Sequence, residues 1–250
     1  MRTLKVCLTW IISLCMLGFI STQLHAQDVV PVANVVAFSG EVTAAGTDGE
    51  IRALELNSPI YSGDTVATGP ASRMRILFSD GSAKTLRPNS RLVIDEYRYA
   101  SGSEPEPDSS VVRLVRGGMH ALTGAIGSAN PEAYRVETPV ATIGIRGTEY
   151  LARFCHGDCS DLHGEDMQVP DDGLYTHTIL GRTIVGDVEV GQGMSSKTSM
   201  EGITSLLDEM PTVLEQDLQF YFLDGGMNEQ LAMVFFVPAK SHGMRPLLCD

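Results

Sequence analysis

From residue 29 to about residue 199 the chain is a succession of short strand-forming runs separated by turn signals, and this punctuation governs what it can fold into. Residues 35–42 open the series, followed by a Gly-Thr-Asp-Gly turn at 46–49 and a further run at 50–56. Met74, Ile76 and Phe78 alternate with Arg73, Arg75 and Leu77, the two-residue period of a half-buried strand. Asp80-Gly81 is a hairpin turn, because both residues tolerate positive φ and match the twist of the flanking strands. Further strands are predicted at 83–86, 91–99, 111–115, 119–122, 134–138, 142–145 and 150–154. Residues 173–190 form another pair, turning at Leu180-Gly181-Arg182. The expected fold class is all-β: a sandwich, a barrel or a solenoid, although no exact repeat period supports a regular solenoid. Twenty-five glycines and twelve prolines argue against a helical bundle.

A chain of 250 residues makes about one domain, and 43% apolar with 20% charged residues excludes wholesale disorder. Eighteen Lys and Arg against 31 Asp and Glu give a formal charge of −13. That sign disfavours nucleic acid and anionic membrane surfaces as partners, since both require a basic footprint. Residues 1–26 have the pattern of a secretory signal peptide: Arg2 and Lys5, a largely apolar stretch at 6–20, and Ala26 before the expected cut at Gln27. The apolar stretch is shorter than the ~20 residues that span a bilayer. Cleavage leaves 16 basic against 31 acidic residues, removes Cys7, Cys15 and Trp10, and places the chain in the periplasm or outside the cell. No membrane association is expected afterwards, and the leader leaves no room for a preceding cytoplasmic domain.

The expected organisation is a leader at 1–26, a β domain at 27–199 and a C-terminal extension at 200–250. Residues 101–110 form a polar, acidic, exposed loop. In the extension, Ile203, Leu206, Leu207, Met210, Val213, Leu214 and Leu218 recur at helical spacing. Thr204 or Ser205 would cap that helix, and Pro211 would interrupt or restart it. Residues 219–250 show no clear period.

Cys155-His156-Gly157-Asp158-Cys159, with His163 beyond, is the most chemical-looking patch. Outside the cytoplasm a disulfide between Cys155 and Cys159 is the expected state, with zinc ligation the alternative and Cys249 the odd thiol. Asp158, Asp161, Glu165, Asp166, Asp171 and Asp172 lack the spacing of an EF-hand, so a solvated acidic loop is expected ahead of a calcium site. No nucleophile elbow, zincin motif or phosphate-binding loop is present, and Gly191-Gln192-Gly193 lacks a strand–helix context. The expectation is a protein that is not an enzyme and holds no cofactor or metal. A glycan site would need stacking platforms, and without Trp10 only tyrosines could supply them.

Three stretches in order and spacing resemble the FecR domain family of periplasmic proteins. They are Ile60 through Gly69 (IYSGDTVATG), Ala71 through Leu92 with Phe78-Ser79-Asp80-Gly81 and Leu86-Arg87-Pro88-Asn89-Ser90, and Val115-Arg116-Gly117-Gly118 followed by Val136 through Glu149. The resemblance covers about residues 34–152, thins toward about 195 and does not reach the C-terminal tail. It implies a β-helix or β-sandwich module without catalysis. In the best-known members the domain follows a cytoplasmic anti-sigma segment and one transmembrane helix, and relays the state of an outer-membrane receptor to a sigma factor. The leader-like start of this chain departs from that pattern, so the sigma mechanism is not carried over. What remains is an extracytoplasmic protein-interaction or signal-sensing module whose partner is an unidentified envelope protein. The competing expectation is a periplasmic glycan- or metal-binding β module.

The family-motif residues also make physical sense as structure. Gly63, Asp64, Asp80 and Gly81 set turns, and Arg87-Pro88-Asn89-Ser90 makes another. Pro139 keeps Thr138 extended and ends local pairing. In the Arg146-Gly147-Thr148-Glu149 stretch the Arg146 guanidinium could meet a carboxylate or backbone carbonyls, with Gly147 allowing close approach; a structural role is expected, and a ligand- or partner-binding role for Arg146 is the alternative. Because Trp10 is the single tryptophan, the processed protein should fluoresce with tyrosine-type emission alone. A tryptophan band from the exported form would contradict cleavage of the leader.

Overall fold

The computed structural model describes residues 30–100, 107–159 and 170–215. The leader, part of the acidic loop, residues 160–169 with His163, the tail and Cys249 lie outside the described residues. Among the described residues of the unit that begins at Pro31 there are fifteen strands. In chain order these are β1 (Ala33–Ser39), β2 (Val42–Ala45), β3 (Ile51–Ala53), β4 (Pro59–Ile60), β5 (Thr65–Thr68), β6 (Arg73–Phe78), β7 (Ala83–Leu86) and β8 (Arg91–Arg98). They continue with β9 (Ser109–Leu122), β10 (Tyr134–Glu137), β11 (Thr142–Cys155), β12 (Gly173–Val185), β13 (Val188–Val190), β14 (Ser195–Thr198) and β15 (Thr204–Leu207). A short helix α1 (Ala125–Ala129) and a 3-10 turn (Pro131–Ala133) join β9 to β10.

The predicted alternation is visible in burial. Along β6, Met74, Ile76 and Phe78 are buried while Arg73, Arg75 and Leu77 are half-buried. All strands pair antiparallel except β9 with β10. Three long strands organise the rest. Residues 109–116 of β9 lie between β8 and β10, whereas residues 119–122 lie between β7 and β11. Residues 143–146 of β11 meet residues 182–185 of β12, and residues 149–155 meet residues 173–180. One layer therefore reads β3-β2-β5-β8-β9-β10-β11-β12-β13, and the other β4-β1-β6-β7-β9-β11-β12-β14-β15. Met74, Ile76 and Phe78 from the second layer share one core with Leu92, Ile94, Val112 and Leu114 from the first. Of the sandwich and β-helix expectations, the structure adopts the sandwich, since a β-helix stacks parallel strands and only one pairing here is parallel.

The bends that carry strands between layers occur where glycine permits close backbone approach. Gly117 has φ of 76°, and a Cβ there would sit 2.4 Å from Ser90 Oγ. Gly181 has φ of 77°, and its Cβ would lie 2.1 Å from the carbonyl oxygen of Gly147. These positions explain two departures from the sequence reading. The runs at 111–115 and 119–122 are one strand, as are those at 142–145 and 150–154, because the intervening glycines bend the ladder without ending it. Leu180-Gly181-Arg182 is likewise a bend inside β12, and the chain turns instead at Gly186-Asp187, where Val185 pairs with Val188.

The helix expected from Ile203 onward is also corrected. Residues Thr204–Leu207 are strand β15, in register with β14, and helical structure starts only after Pro211, whose carbonyl accepts from Leu214 and Glu215. The apolar stripe is nevertheless used. Leu207, Met210, Val213 and Leu214 cover Leu151 and Tyr175 on the outer face of the second layer, forming a second, smaller core. A strand followed by a turn and a helix start delivers these four side chains to one face, while Ile203 and Leu206 of the expected stripe remain exposed.

Inside the sandwich, the β12–β14–β15 end is lined with hydroxyls in place of aliphatic side chains. Thr176 bonds Ser196 at 2.7 Å, Thr178 bonds Thr183 at 2.8 Å and Thr198 bonds Thr204 at 2.9 Å. Thr176, Thr178, Thr183, Ser196 and Thr198 are buried, so their mutual pairing offsets the desolvation of each group.

Gly181→Ala should destabilise the domain by about 3 kcal/mol or more, combining a positive φ with a clash against fixed backbone. Gly193→Ala, with φ of 75° but nothing within 4 Å of the added Cβ, should cost only about 1 kcal/mol. Paired denaturant melts of the two variants measure the difference.

Candidate functional site

The turn residues singled out in the sequence become buried polar nodes. Gly63 has φ of 89° and delivers Asp64 to the interior, where its carboxylate accepts from Tyr61 N–H at 2.8 Å and from Arg52 Nη1 at 3.2 Å. The second Arg52 nitrogen pairs with the other Asp64 oxygen and also donates to the Pro59 carbonyl at 3.2 Å. The bond to Asp64 raises the Arg52 pKa above its ordinary value against partial desolvation. This node ties β3 and β4 to the start of β5.

Asp80 is a second node, in the β6–β7 hairpin where Gly81 has φ of 80°. Its Oδ1 accepts from Ser82 N–H at 3.0 Å, Ser82 hydroxyl at 2.6 Å and Tyr97 hydroxyl at 3.0 Å, while its own N–H donates to the Tyr97 oxygen at 2.9 Å. Its Oδ2 accepts from Ile126 N–H at 3.3 Å and its carbonyl from Ala125 N–H at 2.8 Å, so the hairpin anchors the start of α1. Burial and the Asp80 charge push the Tyr97 hydroxyl well above its ordinary pKa. One buried carboxylate thus holds two strands and a helix, with its acceptor capacity spent on structure.

Thr148 is buried and cross-linked to Thr123. Its N–H donates to Thr123 Oγ1 at 3.1 Å, and its carbonyl accepts from Thr123 N–H at 3.0 Å. Pro139 sits in the β10–β11 turn, where the Thr138 hydroxyl donates to the Ala141 carbonyl at 2.6 Å. Arg146 departs from expectation: its side chain is exposed and makes no hydrogen bond or ion pair with a described residue. A Cβ at Gly147 would meet nothing within 4 Å, and the close approach at this bend is that of Gly181 to the Gly147 carbonyl. Glu149 instead meets His120 across the sheet at 2.8 Å.

Cys155 and Cys159 form a disulfide with Cα atoms 5.4 Å apart, so neither sulfur is a thiolate ligand for zinc. Both are buried in the smaller core beside Val213 and Leu214, and Arg153 Nε donates to Cys159 Sγ at 3.1 Å. The carboxylates around this loop are occupied separately. Asp158 accepts from Arg116 Nε at 2.8 Å and His156 N–H at 2.9 Å, Asp171 pairs with Lys197 at 2.7 Å, and Asp172 accepts from Gly157 N–H at 2.7 Å. They lash the loop to β9, β12 and β14 and do not converge on one point. Among the described residues no group of three or more His, Cys, Asp or Glu side chains is arranged to hold a metal ion. Asp161, His163, Glu165 and Asp166 fall outside those residues.

Lys84 was not singled out from sequence, yet it is the most unusual side chain in the core. It is fully buried, its Nζ has no hydrogen-bond partner, and it lies 4.2 Å from the Phe78 ring centroid and 5.2 Å from that of Tyr134. Register held the clue, since Lys84 faces Ile76, the inward position of β6. Burial lowers its pKa to about 8, with Asp80 opposing the shift. The two rings each return about 1–2 kcal/mol as cation–π partners, less than full hydration would. The Tyr134 and Tyr150 hydroxyls bond each other at 3.2 Å nearby, and burial raises Tyr134 to about 12. Tyr97, Tyr134, Tyr150 and Tyr175 are buried, and Tyr61 and Tyr99 are half-buried, so none of the described tyrosines is a fully exposed stacking platform.

Residues 64–160, from the Asp64 node to just past the disulfide, match the family model described as FecR protein. No curated protein matches the chain. Two crystal structures of a protein described as a "putative anti-sigma factor" from Parabacteroides distasonis superpose with a TM-score of 0.44 at 12% identity, over 62% of this chain and 64% of that one. The match therefore spans less than two thirds of that protein's length.

Lys84 makes a signed prediction. Its folded pKa of about 8 lies below the ordinary 10.5, so between those values the unfolded chain binds more protons and stability rises with pH. From pH 7 to 9.5, below the tyrosine titrations, this gain should be about 2 kcal/mol. Lys84→Met should stabilise the domain by about 1–3 kcal/mol at pH 7 and abolish the gain. Urea melts of both proteins across that range provide the check; identical pH slopes would show that Lys84 is not buried as a cation.

Proposed function

Because the chain carries a FecR domain over residues 64–160, we propose that it is a non-enzymatic, extracytoplasmic protein-interaction or signal-sensing module. The family match carries the reading. Two features support it. The side chains that resemble reactive groups are spent inside the fold, Asp64 and Asp80 on turns and Cys155 and Cys159 on each other. The disulfide suits an oxidising compartment, consistent with the leader-like residues 1–26. Output then runs through a second protein, an envelope component contacted by the domain surface.

Affinity capture from an envelope extract, in parallel with a glycan array, tests this. A stoichiometric protein partner that survives competition by untagged domain is the expected result. Saturable sugar binding without any protein partner, or turnover of a substrate, would replace the reading. Reduction of the disulfide should lower stability by about 2 kcal/mol, the scale for a short closed loop, and loosen residues 207–215 that pack on it. Hydrogen exchange with and without reductant reports on both.

A further inference from the structure

Among the described residues the sandwich ends in four edge strands, β3, β4, β13 and β15, and three carry devices that discourage pairing with another chain. In β3, Arg52 sits mid-strand and is tied to Asp64. β4 is two residues long and begins with Pro59. β13 has Glu189 at its centre, paired with Arg182 at 3.2 Å. β15, Thr-Ser-Leu-Leu, has no charge, no proline and no bulge in its register with β14. It also offers apolar surface to solvent: Leu206, beside the exposed Ser205, is 45% exposed, and Ile203 just before the strand is 70% exposed.

The main chain of this edge is oriented outward. Ser199 N–H donates to the Ile203 carbonyl at the β14–β15 turn. The alternation of an antiparallel ladder then directs the N–H and C=O of Ser205 and Leu207 to β14, and those of Thr204 and Leu206 to the open side. Charge brackets the strand. Glu201 stands exposed before it, and Asp208 and Glu209 stand exposed after it. An added strand thus finds four main-chain groups, an apolar contact at Leu206 and a carboxylate at each end.

We propose that the open edge of β15 is a docking strand for an extended segment of a partner protein, apolar opposite Leu206 and carrying Lys or Arg toward both ends. The proposal rests on the protein-interaction reading above and names the surface and partner chemistry. Main-chain pairing supplies affinity, and the acidic brackets select a basic-flanked segment.

A photoreactive phenylalanine derivative at position 206 of the full chain, irradiated in the envelope and mapped by mass spectrometry, identifies the occupant. The expected result is a link to a basic-flanked segment of a different protein, whose synthetic peptide binds the wild-type domain. Leu206→Pro, which removes only an outward N–H, should weaken that peptide on the order of ten-fold or more, as should the Glu201→Lys/Asp208→Lys pair. Leu206→Lys serves if the proline variant does not fold, and Glu189→Lys on β13 should bind normally. A link to residues 216–250 of the same chain, a link to a second copy, no link, or undiminished binding by the edge variants overturns the proposal. Capture of one partner equally by wild type and Leu206→Pro would overturn the edge alone. Capture of none by either would remove the interaction reading itself.

Discussion

The fold depends on how closely two backbones can approach where strands leave one layer for the other. β9, β11 and β12 each belong to both layers, and each layer is continuous only because these strands bend, at shifts in their register, without ending. At the bends of β9 and β12 there is no room for a side chain, as the contacts of Gly117 with Ser90 and of Gly181 with Gly147 show. Everything hydrophobic follows from this. The inner faces of the two layers meet at a fixed distance, and Ile76, Leu92, Ile94, Val112 and Leu114 fill it.

The buried polar groups serve the same geometry at the turns. Asp64 and Asp80 each replace several backbone–backbone bonds that a hairpin end cannot make, and each connects elements remote in sequence. The residues matched by the FecR family model begin at one node and end just beyond the disulfide. Yet β6 pairs with β1, and β11 pairs with β12, outside that stretch. The matched segment is the centre of a sheet whose flanks come from the rest of the chain.

Much of this was legible from residues alone, for physical reasons. The β6 alternation, the Asp80-Gly81 turn, the Asn89 turn with φ of 56° and the paired cysteines are local signals with local causes. What failed was non-local. Glycines at 117, 147 and 181 resemble strand ends until a facing strand shows that they are bends. Ile203 to Leu214 has helical spacing, but residues 204–207 pair with β14, and there pairing overrides periodicity. Lys84 looks like a surface residue until its register with Ile76 turns it inward. The site expectations divide likewise: the turn aspartates and cysteines were placed by neighbours, whereas Arg146 was assigned a partner that only tertiary contact could have supplied.

The hydroxyl-lined end beneath β14 and β15 has a thermodynamic consequence. Cohesion there comes from directional bonds such as Thr176 to Ser196 and Thr198 to Thr204, which water can replace nearly one for one. The aliphatic centre around Ile76 and Leu114 has no such substitute. Separation of the last two strands therefore gives up little apolar contact on the inner face, and what resists it is the outer-face cluster of Leu207, Val213 and Leu214, so the integrity of this margin rests on the residues that follow β15.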